Sequence, residues 1–135
     1  MAIVRRRALL ATVPFGIMWL AFASSASADV RDYEFQLIQS EAKKGDGAIV
    51  AVRLVNKKTG KRVSDAVISA KRIDMAPDGM ATMTAPIEQM PTTEPSVYRF
   101  KTNLSMEGRW QLSLAAKVQG EVGTVESKLV LKVVP

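Results

Sequence analysis

The side chains with the most specific chemistry are methionines that cluster in the second half of the chain. Met75, Met80, Met83 and Met90 follow one another closely, and Met106 precedes a glycine-arginine-tryptophan run. A thioether is a soft, neutral ligand that suits Cu(I), and it does not titrate. We therefore expect Met75, Met80 and Met83, completed by Met90 or Met106, to bind Cu(I) or a similar soft metal.

A structural interpretation of the same methionines remains open. Methionine is flexible and apolar, and it fills irregular gaps where loops close over a core. Asp74 and Asp78 flank Met75 and could add oxygen ligands, but Asp78-Gly79 is also an ordinary turn pair. If the sulfurs point into the core, the chain is better interpreted as a metal-free module that docks onto a partner through a sheet edge or loop.

The sequence contains no histidine and no cysteine. This composition excludes Ser-His-Asp chemistry, imidazole bases and thiolate metal sites. No other set of residues indicates a catalytic site or a small-molecule substrate, so we expect a protein that is not an enzyme.

The first 28 residues have the composition of a secretory signal. Arginines 5–7 precede an apolar run over 8–23, and small residues then end in Ala26-Ser27-Ala28, which fits the cleavage rule. The apolar run is shorter than the roughly 20 residues that a membrane span needs. We expect a cleaved signal peptide over 1–28 and a periplasmic or otherwise exported protein, with an uncleaved anchor as the alternative.

Removal of this segment changes the charge of the chain. The 19 basic residues fall to 16 against 13 acidic residues, so the formal net charge decreases from +6 to +3. That balance and the exported location argue against a nucleic-acid partner. A compact basic turn remains at Lys57, Lys58, Lys61 and Arg62, where a solvated hairpin tip or a contact with anionic lipid or an acidic partner would account for the charges.

Residues 29–135 alternate apolar and polar side chains in the period of a half-buried strand. The clearest example begins at Arg109 and places Trp110, Leu112 and Leu114 on one face. The stretch 74–95 contains four prolines and little alternation, which predicts loop or edge structure. We predict one all-β domain, an immunoglobulin-like β-sandwich of about seven strands. The predicted strands include 33–37, 50–54, 63–73, 97–103, 109–118 and 125–133.

Two motifs together resemble the FixH/YtkA-like domain family. The first runs from Asp74 to Met80 as D-M-x-P-x-G-M, and the second runs from Leu104 to Leu112 as L-x-M-x-G-R-W-x-L. The resemblance covers most of the chain after the signal. It implies an immunoglobulin-like extracytoplasmic domain and a non-enzymatic accessory of copper pumps, oxidase assembly systems or heavy-metal efflux systems. It also implies that membrane transporters or oxidase assembly proteins are the partners. The matching candidate metal ligands are Met75, Met80, Met83 and Met106.

Overall fold

The computed structural model describes residues 29–135, and the predicted signal peptide lies outside this range. Two single 3₁₀ turns, Val30–Asp32 and Ala76–Asp78, are the helical segments of this part of the chain. The strands are β1 (Tyr33–Leu37), β2 (Glu41–Lys43), β3 (Gly45–Asn56), β4 (Val67–Met75), β5 (Met80–Ala85), β6 (Ile87–Met90), β7 (Val97–Leu104), β8 (Gly108–Lys117) and β9 (Val125–Val134).

The strands form two sheets with the order of an immunoglobulin-like sandwich. The first sheet has the order β1-β3-β7-β6, and the second has the order β2-β9-β8-β4-β5. These orders correspond to the A-B-E-D and G-F-C sheets of the immunoglobulin fold. β2 pairs in parallel with β9, whereas the other strand pairs are antiparallel. The predicted all-β immunoglobulin-like sandwich is therefore confirmed.

The core lies between the two sheets and contains the apolar faces that the alternation predicted. Trp110 and Leu112 of β8 are fully buried against Phe100 of β7 and Leu54 of β3. Burial of one such large side chain contributes roughly 1.5–3 kcal/mol relative to its exposed state. The domain has no disulfide because it has no cysteine, so this core provides most of the stabilisation.

Residues 29–135 form nine strands where about seven were expected. The difference arises mainly in short strands that carry little alternation. β2 has three residues, while β5 and β6 divide most of the proline-containing stretch into two edge strands on either side of Pro86. The strand predicted from Val63 begins only at Val67. The Val63 N–H donates to the carbonyl oxygen of Leu54 in β3, and one side chain contacts the backbone of both Val63 and Ala66.

That side chain is Tyr98 of β7. Its hydroxyl donates to the carbonyl oxygen of Val63 at 3.0 Å and accepts from the backbone N–H of Ala66 at 3.1 Å. Its ring is buried and packs edge-on against Phe35, with 6.0 Å between the ring centroids. Tyr98 therefore fixes the connection from β3 to β4 and sets where β4 enters the second sheet.

We predict that Tyr98→Phe lowers the free energy of unfolding by about 1–3 kcal/mol, because it leaves two partly buried backbone groups without their partner. Urea unfolding measures this loss. Tyr33→Phe is the matched control, since the Tyr33 hydroxyl donates to the side-chain carboxylate of Glu121 at 3.2 Å and not to a backbone group of a strand connection. Equal losses in the two variants would contradict the role assigned to Tyr98.

Candidate functional site

The candidate site lies at the end of the sandwich where β4 turns into β5. Met75 ends β4, and the Ala76–Asp78 turn follows. Pro77 lies near the start of this turn, where a backbone N–H would have no partner within the turn, so its absence in proline costs nothing. Gly79 then adopts a left-handed conformation, with φ of 78°, and leads into Met80. The turn therefore presents one methionine on each side.

Asp78 fastens this turn to the start of β8. Its carboxylate accepts from the backbone N–H of Arg109 at 2.8 Å and from the Arg109 Nε at 2.9 Å. A second guanidinium nitrogen of Arg109 donates to the carbonyl oxygen of Pro77 at 2.9 Å. The hydrogen bond from the backbone N–H, and then that from the guanidinium, hold the pKa of Asp78 below its usual value. We call this arrangement the Asp78–Arg109 clasp.

Gly108 allows the clasp to close. A Cβ atom at this position would lie 2.5 Å from the Oδ2 of Asp78 and 2.8 Å from the terminal methyl of Met75. The backbone φ of Gly108 is also 134°, which side-chain-bearing residues rarely adopt. The glycine of the second motif is thus explained by Met75 of the first motif and by Asp78, which occupies an unspecified position within it.

Asp74 makes a second, more buried carboxylate contact. It accepts from the Arg72 Nε at 2.8 Å and from the backbone N–H of Ala76 at 2.9 Å. Burial opposes ionisation of Asp74, but these hydrogen bonds and the positive charge of Arg72 outweigh it and lower the pKa of the carboxyl. Arg72 also donates to the carbonyl oxygen of Ala81, so it joins β4 to β5.

The four predicted ligands occupy different environments. Met75 is only 1% exposed and belongs to the core, whereas Met83 on β5 is half-buried against it. Met80 is 37% exposed and Met106 is 38% exposed. The burial of Met75 matches the packing interpretation, whereas Met80 and Met106 are partly exposed to solvent.

Met80 and Met106 lie at the same end of the sandwich. Met80 follows Asp78 by two residues and pairs in register with Met75, while Met106 precedes Gly108 by two residues. The Trp110 indole N–H donates to the carbonyl oxygen of Met106 at 3.0 Å, which fixes the backbone of the β7–β8 loop. The side chain of Met106 therefore projects from an anchored loop rather than from a free one.

The oxygen ligands considered with the methionines are already engaged. Asp74 and Asp78 are held by Arg72 and Arg109, so coordination of a hard cation would require these contacts to break. Within residues 29–135, no three acidic side chains come together as a metal-binding group. In the same range, no helix has the length and apolar character required to cross a bilayer.

Sequence reasoning identified the two motifs but missed the contact that joins them. The 31-residue separation of Asp78 and Arg109 carries no local periodic signal. The available indication was chemical, since the first motif contains the acidic Asp78 and the second contains a glycine followed by an arginine.

The chain was compared with protein families, curated proteins and solved structures. The profile of the family described as YtkA-like matches residues 27–115, which include both motifs and all four predicted ligands. No curated protein matches the chain. A crystal structure of the Lin-41 filamin domain is 18% identical, with coverage of 74% of this chain and 91% of that one and a TM-score of 0.45. The ZirS C-terminal domain is 10% identical, with coverage of 100% and 88% and a TM-score of 0.44.

We predict that Gly108→Ala destabilises the domain by about 3 kcal/mol, because it combines backbone strain with a steric conflict at the clasp. Gly79→Ala is the control, since its φ is also positive but no atom lies within 4 Å of the added Cβ. It should cost about 1 kcal/mol from strain alone. Urea unfolding of both variants distinguishes them, and equal costs would show that the close approach to Asp78 and Met75 is unimportant.

We also predict a pH dependence that originates at Asp78. The pKa of Asp78 is lowered in the folded protein, so the unfolded state binds more protons. The clasp therefore stabilises the fold most above pH about 4, which is the usual pKa of an aspartate in an unfolded chain. This stabilisation disappears as pH falls through the folded-state pKa. The difference in unfolding free energy between wild type and Asp78→Asn should therefore be larger at pH 7 than at about pH 2.5.

Urea unfolding at the two pH values measures that difference. Asp46→Asn is the control, because Asp46 belongs to none of the ion pairs found among residues 29–135. If the two substitutions changed the pH dependence equally, the stabilisation could not be assigned to the clasp.

Proposed function

This chain belongs to the YtkA-like family, and we propose that it is an exported, non-enzymatic accessory protein that binds Cu(I) or another soft metal through methionine thioethers. It would act in the periplasm or an equivalent compartment, in support of a metal efflux or cytochrome oxidase assembly system. Its partners would be the membrane transporter or the assembly proteins of that system.

The observation that carries this proposal is the exposure of Met80 and Met106 beside the Asp78–Arg109 clasp. Thioethers select soft monovalent copper over hard cations, because sulfur is a polarisable neutral donor. The clasp and the Trp110 hydrogen bond fix the two backbones from which these side chains project. Met83 on β5 is the nearest candidate in sequence for a third donor, and Met75 supports the site from the core.

Burial of Met75 favours a second candidate, the metal-free interaction module. In that function the methionines and the clasp would serve only to shape the end of the sandwich. The exposed edge of β5, with Met80 at its start, would then provide the docking surface for a membrane protein complex. The two candidates differ in whether the exposed sulfurs bind a metal.

We predict that the purified chain binds Cu(I) more tightly than micromolar, and that Met80→Leu/Met106→Leu weakens binding at least tenfold because both surface donors are lost. Anaerobic titration against a competing Cu(I) chelator measures both affinities. Met90→Leu is the matched control, since Met90 is on β6 in the other sheet and should not affect binding.

Two further results decide between the candidate functions. Binding weaker than micromolar, or binding unaffected by the double substitution, would reject the thioether site and favour the module. Met75→Leu preserves the volume of the buried side chain, so it tests whether the core sulfur also coordinates the metal. The packing role assigned to Met75 predicts an unchanged affinity for this variant.

A further inference from the structure

The outer side of the first sheet carries arginines that take part in none of the ion pairs of residues 29–135, although Glu94 lines the same concavity. Arg53 on β3 and Arg99 on β7 alternate with buried residues, so they project away from the core. Arg62 forms a bridge with Val55 and reaches the same side of β3. The three arginines line one shallow concavity of roughly 370 Å³, with Thr93 at its margin.

Arg53, Arg62 and Arg99 form no ion pairs with the described residues. The six ion pairs of residues 29–135 use other basic residues, namely Arg31, Lys44, Lys58, Arg72, Arg109 and Lys132. Lys101 projects beside Ile49 on the same sheet, and the basic turn with Lys57 and Lys61 continues from Arg62. The acidic residues on this side are Glu34, Glu88 and Glu94, and Glu41 lies at its edge beside Arg99 and Ile49. Glu88 lies opposite Lys101 across β6 and β7. Basic residues outnumber these acidic ones.

Two exposed isoleucines lie among these charges. Ile38 is 39% exposed and lines the same concavity as the arginines, and Ile49 is 41% exposed and pairs with Lys101. A partner recognised by charge alone would gain nothing from these side chains. Basic residues combined with exposed apolar ones suit the headgroup region of a bilayer, where phosphates meet cations and aliphatic groups leave water.

We propose that this surface lies against an anionic phospholipid bilayer. We call it the basic face and define it by Arg53, Arg62, Arg99, Lys101, Ile38 and Ile49. The arginines contact lipid phosphates, for which guanidinium groups are well suited, while the isoleucines enter the interface. The outer side of the second sheet then faces away from the membrane. This proposal does not depend on metal binding.

Site-specific fluorescence tests which side contacts the bilayer. The native sequence lacks cysteine, so Thr93→Cys on the basic face and Ala70→Cys on the outer side of the second sheet each accept one environment-sensitive fluorophore. The labelled full chains are mixed with vesicles of phosphatidylcholine alone or with 30% phosphatidylglycerol. The position-93 probe should brighten several-fold with the anionic vesicles only, and the position-70 probe should not respond.

Charge-matched variants test the residues involved. In the variant Arg53→Gln/Arg62→Gln/Arg99→Gln, the lipid concentration that gives half of the maximal position-93 response should rise on the order of a hundredfold. This is the change expected for the loss of three surface cations. The control removes the same charge from the second sheet, through glutamine substitutions at Lys71, Lys117 and Lys128. In this control, the lipid concentration for half of the maximal response should stay within about threefold of the wild-type value.

Several outcomes would overturn the proposal. These are an equal response at position 70, an equal response to uncharged vesicles, or equal losses in the two triple variants. Displacement by inorganic phosphate at constant ionic strength would instead assign the arginines to a free anion. An Ile38→Ser/Ile49→Ser variant that binds as tightly as wild type would remove the reason for preferring a bilayer to another polyanion.

Discussion

The hydrogen bonds between the Asp78 carboxylate and Arg109 hold together the end of the sandwich that carries the methionines. They join the β4–β5 turn to the start of β8, two segments that share no strand pairing at this point. A charged pair at a partly exposed position contributes little by Coulomb attraction alone. Here the Asp78 carboxylate also accepts a hydrogen bond from the backbone N–H of Arg109. It therefore fixes the direction in which the chain enters β8, in addition to pairing with the guanidinium group.

The clasp divides the methionines into two kinds. Met75 lies beneath it and packs its terminal methyl against Gly108, so its side chain is part of the structure that closes the core. Met80 and Met106 lie beside it with their side chains partly in solvent. The clasp therefore lies between a buried methionine that packs in the core and two partly exposed methionines on which the proposed metal site depends.

Alternation predicted the strands whose two faces have different environments. Trp110, Leu112 and Leu114 are buried in β8 while the residues between them are more exposed, so the period of two was visible. β5 and β6 are edge strands with mostly exposed residues, and Pro86 interrupts them, so the sequence carried no such contrast. The methionine motif was recognisable because its spacing is local. The clasp was not, because pairing of Asp78 with Arg109 depends on the register of two strands in the folded sheet.

The position of β9 also has a consequence for how the domain is completed. β9 is the last strand of residues 29–135, yet it lies inside the second sheet, between β8 and the parallel strand β2. When a polypeptide emerges progressively from a ribosome or a translocation channel, the earlier strands are available first. β2 then has no neighbour in its sheet until β9 emerges, and β8 lacks one of its two neighbouring strands. Closure of the sandwich must therefore follow emergence of nearly the whole domain, which leaves an interval in which chaperones can bind the unfolded chain.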